Sequence, residues 1–129
     1  MATSTALLLL TLSGCGSAFL EDRDADRAEI IGTWRGPDGA LLDLDKSGTF
    51  TAERLNIDAQ EGAGVHVSKS GLTGGKGEWF WEDYSQGPEL FLSFAGGGAA
   101  TFRPADQDGK LVLAGLLPHG DGAETLLTK

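Results

Sequence analysis

Residues 29–52 read E-I-I-G-T-W-R-G-P-D-G-A-L-L-D-L-D-K-S-G-T-F-T-A, and the strand pattern of the chain is clearest here. Apolar and polar side chains alternate along it, and the alternation stops at two turn sequences, Gly36-Pro37-Asp38-Gly39 and Lys46-Ser47-Gly48. An alternation of period two is typical of β-strands that bury one face, because successive side chains of a strand point to opposite faces. The stretch therefore predicts three short strands in succession, joined by tight turns.

The same pattern continues to the end of the chain, with turn sequences between the strands and no convincing helix. The predicted strands cover residues 29–35, 40–45, 49–55, 77–83, 89–95, 99–104, 110–115 and 123–128. Consecutive strands joined by short turns normally pair as neighbours, which predicts an all-β, antiparallel meander of about eight strands. Such a meander closes into a small barrel, and a two-sheet β-sandwich is the alternative.

One long connection interrupts this rhythm at residues 56–76, which include five glycines. Loops of this length without secondary structure are usually functional or mobile. Residues 65–67, V-H-V, are a candidate short strand inside the loop.

The sequence Gly32-Thr33-Trp34 resembles the Gly-x-Trp motif at the start of lipocalin-like domains. In those domains the Trp plugs the closed end of the barrel, so the resemblance implies a structural role for Trp34. Residues 29–52 are also similar to the opening of small uncharacterised lipoproteins that are common in actinobacteria. The resemblance implies a lipocalin-like small barrel, and it carries no molecular function with it.

The N-terminal residues contain a second motif. Residues 6–12, A-L-L-L-L-T-L, form a short apolar run that leads into Leu12, Ser13, Gly14 and Cys15. The run is shorter than the about 20 residues that cross a bilayer, and it has the length of the apolar region of a secretory signal. Leu, two small residues and Cys resemble the lipobox of bacterial lipoprotein signal peptides.

That resemblance implies cleavage between Gly14 and Cys15 and attachment of lipid to the Cys15 thiol. Two or more acyl chains give stable anchoring, which would hold the secreted protein on the extracytoplasmic face of a bacterial membrane. An ordinary secretory signal, or a buried N-terminal helix with a free thiol, is the alternative interpretation.

The predicted organisation has three parts: a signal peptide over residues 1–14, an acidic tether over 15–28 and one β domain over 29–129. The tether is predicted because residues 21–29, E-D-R-D-A-D-R-A-E, cannot bury enough apolar surface to fold alone. A first helical turn leading into the domain is the alternative.

The charge of the chain restricts its partners. The net charge is −9, and no residue of the first fourteen is charged. An acidic domain repels phosphate backbones and anionic lipid surfaces, which argues against nucleic-acid binding. Attachment to a membrane would therefore depend on covalent lipid, with a protein or a small apolar molecule as the remaining candidate partner.

The sequence offers no recognisable catalytic or metal site. Cys15 is the single cysteine, and neither His66 nor His119 lies near it or near a tight acidic pair. The stretch from Asp43 to Phe50 imitates the start of a calcium-binding EF-hand loop, but Arg54 stands where a bidentate Glu is required. We therefore predict a protein that is not an enzyme and needs no cofactor.

Aromatic side chains supply the remaining candidate sites. Trp79, Trp81, Phe94 and Phe102 fall at inward positions of their strands, which fits core packing or, alternatively, an aromatic cavity for a small apolar ligand. Phe80 and Phe91 have the opposite parity on neighbouring strands, and two outward aromatic rings predict a patch for a protein partner.

Three functions follow from these features. The sequence favours a lipid-anchored lipoprotein whose non-catalytic β domain has an interaction or structural role. A lipocalin-like carrier of a small apolar ligand is the alternative, and an enzyme has the least support.

Overall fold

The computed structural model describes residues 20–118 and 122–129. The predicted signal peptide and Cys15 lie outside these residues, as does His119. The strands are β1 Glu21–Asp22, β2 Gly32–Arg35, β3 Leu41–Leu44, β4 Thr49–Leu55, β5 His66–Val67, β6 Thr73–Tyr84, β7 Gly87–Phe94, β8 Ala99–Gln107, β9 Lys110–Leu116 and β10 Glu124–Leu127. One α-helix, α1 Arg27–Ile30, and one 3-10 turn, Pro37–Gly39, complete the elements of the described chain.

The strands form an antiparallel sheet that almost closes on itself. Its order is β10-β9-β8-β7-β6-β4-β3-β2, so neighbours in sequence are nearly always neighbours in space. The two outer strands meet where the amide of Arg35 donates to the carbonyl of Thr128 at 2.7 Å and the amide of Thr128 donates back at 2.8 Å. The predicted all-β fold, with an antiparallel meander of about eight strands and a barrel-like sheet, is confirmed.

The alternation that the sequence displays becomes the inner and outer faces of this barrel. Side chains on the inner face join in one core, and each is at most 5% exposed. The core comprises Ile30, Trp34, Ala40, Leu42, Leu44, Phe50, Ala52, Leu55, Ile57, Trp79, Leu90, Leu92, Phe94, Ala100, Phe102, Leu113 and Leu127. Each large apolar side chain buried in this way contributes about 1.5–3 kcal/mol of transfer free energy.

The barrel has two ends that are built from different parts of the chain. At one end, β4 and β7 finish and β6 begins, and residues 56–72 cross this end; we call it the loop end. We call the N-terminal end the opposite one, which contains the turns at 45–48 and 108–109 and is crossed by residues 20–31.

The N-terminal segment differs from the prediction. Residues 20–28 contact the barrel, whereas the prediction placed them in the tether and began the β domain at residue 29. β1 pairs with β8 through Glu21 and Asp22, which lie opposite Asp106 and Ala105. The alternative of a helical turn is present as α1, which buries Ile30 completely.

The physical reason lies in the path of β8. Its first half, up to Phe102, pairs with β7, whereas its second half pairs with β9 from Arg103 onward. The divergence of β7 and β8 leaves an edge on the second half of β8, and β1 occupies that edge. An acidic segment can therefore gain backbone hydrogen bonds that its own composition does not reveal.

The long connection is also shorter than predicted. β6 begins at Thr73, and the candidate strand within the loop is present as β5, which pairs His66 with Gly74 and Val67 with Thr73. No helix among the residues described here has both the length and the apolar character that crossing a membrane requires.

Candidate functional site

The four residues predicted to line a cavity divide into two groups. Trp79, Phe94 and Phe102 belong to the common core, where they are 2%, 3% and 1% exposed. Phe94 packs edge-on against Phe50, with ring centroids 5.1 Å apart and planes at 87°. Trp81 is only partly buried and packs against the margin of the core. Three of the four are thus brought together as packing residues.

All three tryptophans donate their indole N–H to backbone carbonyls at the N-terminal end. Trp34 Nε1 donates to Ile30 O at 2.8 Å, and Trp81 Nε1 donates to Ala25 O at 3.1 Å. Trp79 Nε1 donates to Asp45 O at 2.8 Å, in the turn between β3 and β4. A buried indole N–H needs such a partner, so the same bonds that satisfy the rings also fix the segment that crosses this end.

Three arginines reinforce the N-terminal end. Arg23 Nη1 lies 3.1 Å from a carboxylate oxygen of Asp106, which ties the segment before α1 to the end of β8. The guanidinium carbon of Arg27 lies 4.4 Å from the centroid of the Trp79 ring, a cation–π contact.

Arg103 forms the third connection, between β8 and β10. Its Nε and Nη2 donate to the two carboxylate oxygens of Glu124 at 2.9 and 2.8 Å, and Nη1 lies 3.4 Å from Asp22. The hydrogen-bonded Glu124 raises the pKa of the Arg103 guanidinium. Such a bidentate pair fixes orientation as well as charge, so it holds β10 against the second half of β8.

The loop end is closed by apolar side chains and close backbone contact. Ile57 is 4% exposed and joins the core, with Ala59 and Val65 packed beside it. The amide of Gly64 donates to the carbonyl of Gly97 at 3.0 Å, and a Cβ placed on Gly64 would lie 2.0 Å from Ala95 O. No side chain fits there, which explains why glycines occupy this contact.

Two open depressions lie at the N-terminal end. One, of about 570 Å³, follows the incompletely closed seam of the barrel, and Trp34 forms part of its wall. Lys129 partly covers it, with Nζ 5.6 Å from the Trp34 ring centroid. The other, of about 400 Å³, has Trp81 and Arg27 among its lining residues. Neither is lined by Phe94 or Phe102, so neither is the enclosed aromatic cavity that the sequence suggested.

The outward face of β6 and β7 carries the predicted aromatic pair. Phe80 and Phe91 are direct cross-strand partners, and their ring centroids are 6.4 Å apart at 40°. Phe80 is 43% exposed and Phe91 is half-buried. Tyr84, which is 49% exposed, has the parity of Phe80 in the same strand. We call these three rings the aromatic face.

Carboxylates border the aromatic face. Glu78, Glu82 and Glu89 share its outward parity, and Glu82 lies directly opposite Glu89 across the two strands. Like charges at directly opposed positions destabilise a sheet. The Tyr84 hydroxyl donates a hydrogen bond to Glu82 Oε1. This bond, with partial desolvation and the nearby charges of Glu82 and Glu89, raises the pKa of the phenol.

The stretch that imitates an EF-hand forms an ordinary hairpin turn. The amide of Ser47 donates to Asp45 Oδ2 at 2.9 Å, and Gly48 takes the positive φ of 98° that the turn requires. Hydrogen bonds from Ser47 lower the pKa of the Asp45 carboxyl. In the described ranges, 20–118 and 122–129, no group of three or more His, Cys, Asp or Glu side chains is arranged to hold a metal ion.

Sequence reasoning did not identify Tyr84 or the arginines of the N-terminal end as important. Tyr84 could have been found, because residues 80, 82 and 84 share one face of a strand once β6 is extended beyond residue 83. The arginines had no local signal, since the partner of Arg23 lies 83 residues away in sequence.

Comparison with known proteins adds no relationship to this geometry. No family model matches the chain, and neither a curated protein nor a solved structure is significantly similar to it.

Proposed function

We propose that the chain is a lipid-anchored extracytoplasmic lipoprotein whose β domain is non-catalytic and acts by contact with a protein partner. The observation that carries the role of the domain is the contrast between its two sheet faces. The inner face is packed with side chains, whereas the outer face of β6 and β7 exposes Phe80 beside Phe91.

The packed interior favours an interaction module over a carrier. A carrier of an apolar molecule needs an enclosed volume of several hundred Å³ lined by apolar side chains. Trp79, Phe94 and Phe102 instead contact other core residues and are at most 3% exposed. Large exposed rings that lie together are typical of surfaces that a partner covers.

The anchor is supported by the sequence Leu12-Ser13-Gly14-Cys15 and its preceding apolar run. A lipid on Cys15 would act over a short distance, because Glu21 already belongs to the folded domain. Six residue steps of at most about 3.6 Å each limit the separation to about 22 Å. The barrel would therefore stand close to the membrane surface.

Metabolic labelling with a palmitate analogue tests the anchor. Cells that produce the wild-type chain should give a labelled membrane-bound protein, and cells that produce Cys15→Ala should give none. Cys15→Ser is the matched control, because it keeps a nucleophilic side chain of similar size but lacks the thiol. Equal labelling of wild type and Cys15→Ala would overturn the anchor.

Native mass spectrometry tests the interaction role against the carrier role. The purified protein should have the mass of the processed and lipidated chain alone. A stoichiometric small molecule that is lost on substituting Phe94 or Phe102 would contradict the proposal in favour of the carrier.

A further inference from the structure

We infer that the aromatic face, with its bordering carboxylates, binds a segment of a partner protein that presents arginine side chains. This inference rests on the proposed function, because it names the chemistry of the partner that the domain contacts. It is carried by the geometry of β6 and β7 and by the charge of that surface.

The aromatic face offers flat rings that a planar cation can cover. Phe80 and Tyr84 lie on one strand with one outward residue between them, and Phe91 lies across from Phe80. An arginine guanidinium stacks on such rings and is less strongly hydrated than a lysine ammonium, so less water has to be removed on binding.

The bordering carboxylates provide the other half of the recognition. Glu82 and Glu89 are opposed across the strands, and Glu78 lies one outward position before Phe80. A guanidinium between Glu82 and Glu89 would relieve their mutual repulsion. It could also donate two parallel hydrogen bonds to one of the two carboxylates, as the bidentate fork of Arg permits. Lys76 is the next outward cation along β6, two outward positions before Phe80, and it lies opposite Thr51 of β4.

The molecule already uses the same chemistry internally. Arg27 covers the Trp79 ring at 4.4 Å, and Arg103 forms a bidentate pair with Glu124. At the aromatic face, rings and carboxylates occur together at the surface, and one oxygen of Glu82 already accepts a hydrogen bond from the Tyr84 hydroxyl. An arginine from outside would add to this arrangement by covering a ring and donating to Glu82 or Glu89.

Charge complementarity decides between possible occupants. A second copy of this chain would bring a net charge of −9 and the same carboxylates against this face, which opposes self-association. An anionic membrane surface is repelled for the same reason. A basic protein segment is attracted, and its apolar side chains would cover Phe80 and Phe91.

An NMR titration of the uniformly ¹⁵N-labelled full chain tests the inference. The probe is a heptapeptide of alternating Arg and Val with blocked ends, and the same peptide with Lys or Glu in place of Arg serves for comparison. We expect the Arg peptide to shift amide resonances within β6 and β7, the Lys peptide to bind several-fold more weakly and the Glu peptide not to bind.

Two variants locate the interaction. Phe80→Ser removes the more exposed ring of the cross-strand pair, and the double variant Glu82→Gln/Glu89→Gln removes the opposed charges while relieving their repulsion. Each should raise the Kd of the Arg peptide about tenfold, the effect of one lost charge-assisted contact. The matched control is Glu53→Gln/Glu61→Gln, which changes the net charge equally at exposed positions outside the aromatic face and should leave the Kd nearly unchanged.

Several outcomes would overturn the inference. These are shifts spread evenly over the acidic surface, equal weakening by the control variant, equal binding of the Lys peptide, or sedimentation showing that the free chain self-associates through Phe80. The titration does not depend on lipid. Peptide binding without Cys15-dependent labelling would therefore contradict the proposed lipid anchor and support the aromatic face as a binding site. Labelling that depends on Cys15 without peptide binding would support the anchor and contradict the binding site.

Discussion

The two ends of the barrel are closed in different ways. At the loop end, Ile57 enters the core and Gly64 lets two backbones touch. At the N-terminal end, a polar segment is fixed by indole hydrogen bonds, ion pairs and the two-residue strand β1. Burial and close packing therefore dominate one closure, whereas directional polar contacts dominate the other.

Local polarity is therefore a poor guide to whether a segment belongs to a fold. The loop over 56–72 is rich in glycine, and residues 21–29 are mostly charged, yet both contact the barrel closely. Each segment finds partners on strands far away in sequence.

The largest effect is expected from Trp34→Ala at the N-terminal end. Trp34 is fully buried, and its removal leaves a cavity and an unpaired Ile30 carbonyl. The free energy of unfolding should fall by about 3–5 kcal/mol, measured by urea denaturation. Trp34→Phe is the control, since it keeps most of the ring and removes the hydrogen bond. A loss as large as that of Trp34→Ala would contradict the cavity argument.

A smaller loss is expected from Gly64→Ala at the loop end. The added Cβ would meet Ala95 O at 2.0 Å, so the backbone of the loop must move, at a cost of about 2 kcal/mol. Gly71→Ala is the control, because Gly71 has φ +82° and nothing within 4 Å of the new Cβ. It should lose only about 1 kcal/mol for its left-handed backbone. Equal losses would show that close contact is unimportant at this end.

Trp81→Phe tests the polar closure by removing one bond. The hydrogen bond from Trp81 to Ala25 would be lost, which should cost about 1 kcal/mol. Hydrogen exchange should accelerate in residues 20–31 and stay unchanged in 56–72. Phe80→Leu, on the outward face of the same strand, should change neither region. Faster exchange at both ends would mean that the two closures are coupled.

The smallest effect concerns the turn at the N-terminal end. Because hydrogen bonds lower the pKa of Asp45, folding should stabilise its charged form. This contribution is present above the ordinary value of 3.8 and is lost as the pH falls through the lowered pKa of the folded state. Ser47→Ala should move the pKa of Asp45 upward in an NMR titration of the carboxyl carbon. An unchanged pKa would show that the Ser47 side chain does not cause the lowered pKa of Asp45.

The sequence predicted the strands well because each buries one face and alternation reports that directly. The start of β6 differs from the prediction, because Gly74 and Gly75 favour a loop when the sequence is considered alone. In the barrel these glycines pair with β5 and β4, and a Cβ on Gly75 would lie 2.7 Å from the Phe94 ring. The glycines thus mark a close approach inside a strand, which resembles a turn in sequence.

For the candidate sites, the sequence predicted only which side chains face inward and which face outward. Opposite parity placed Phe80 and Phe91 outside, but their direct pairing depends on the register of β6 and β7, which the two-residue turn at 85–86 sets. The same parity placed Trp79 inside without deciding between a cavity and a packed core. That decision depends on side-chain volumes from several strands at once, which no single segment contains.

The position of β1 has a mechanical consequence. If the chain is held through its N terminus, a pulling force enters the fold at Glu21 and Asp22, whose pairing with β8 is only two residues long. This strand would peel away first, and the load would next reach the indole bonds at Ala25 and Ile30. The short strand would act as a yielding link that gives way before the barrel unravels.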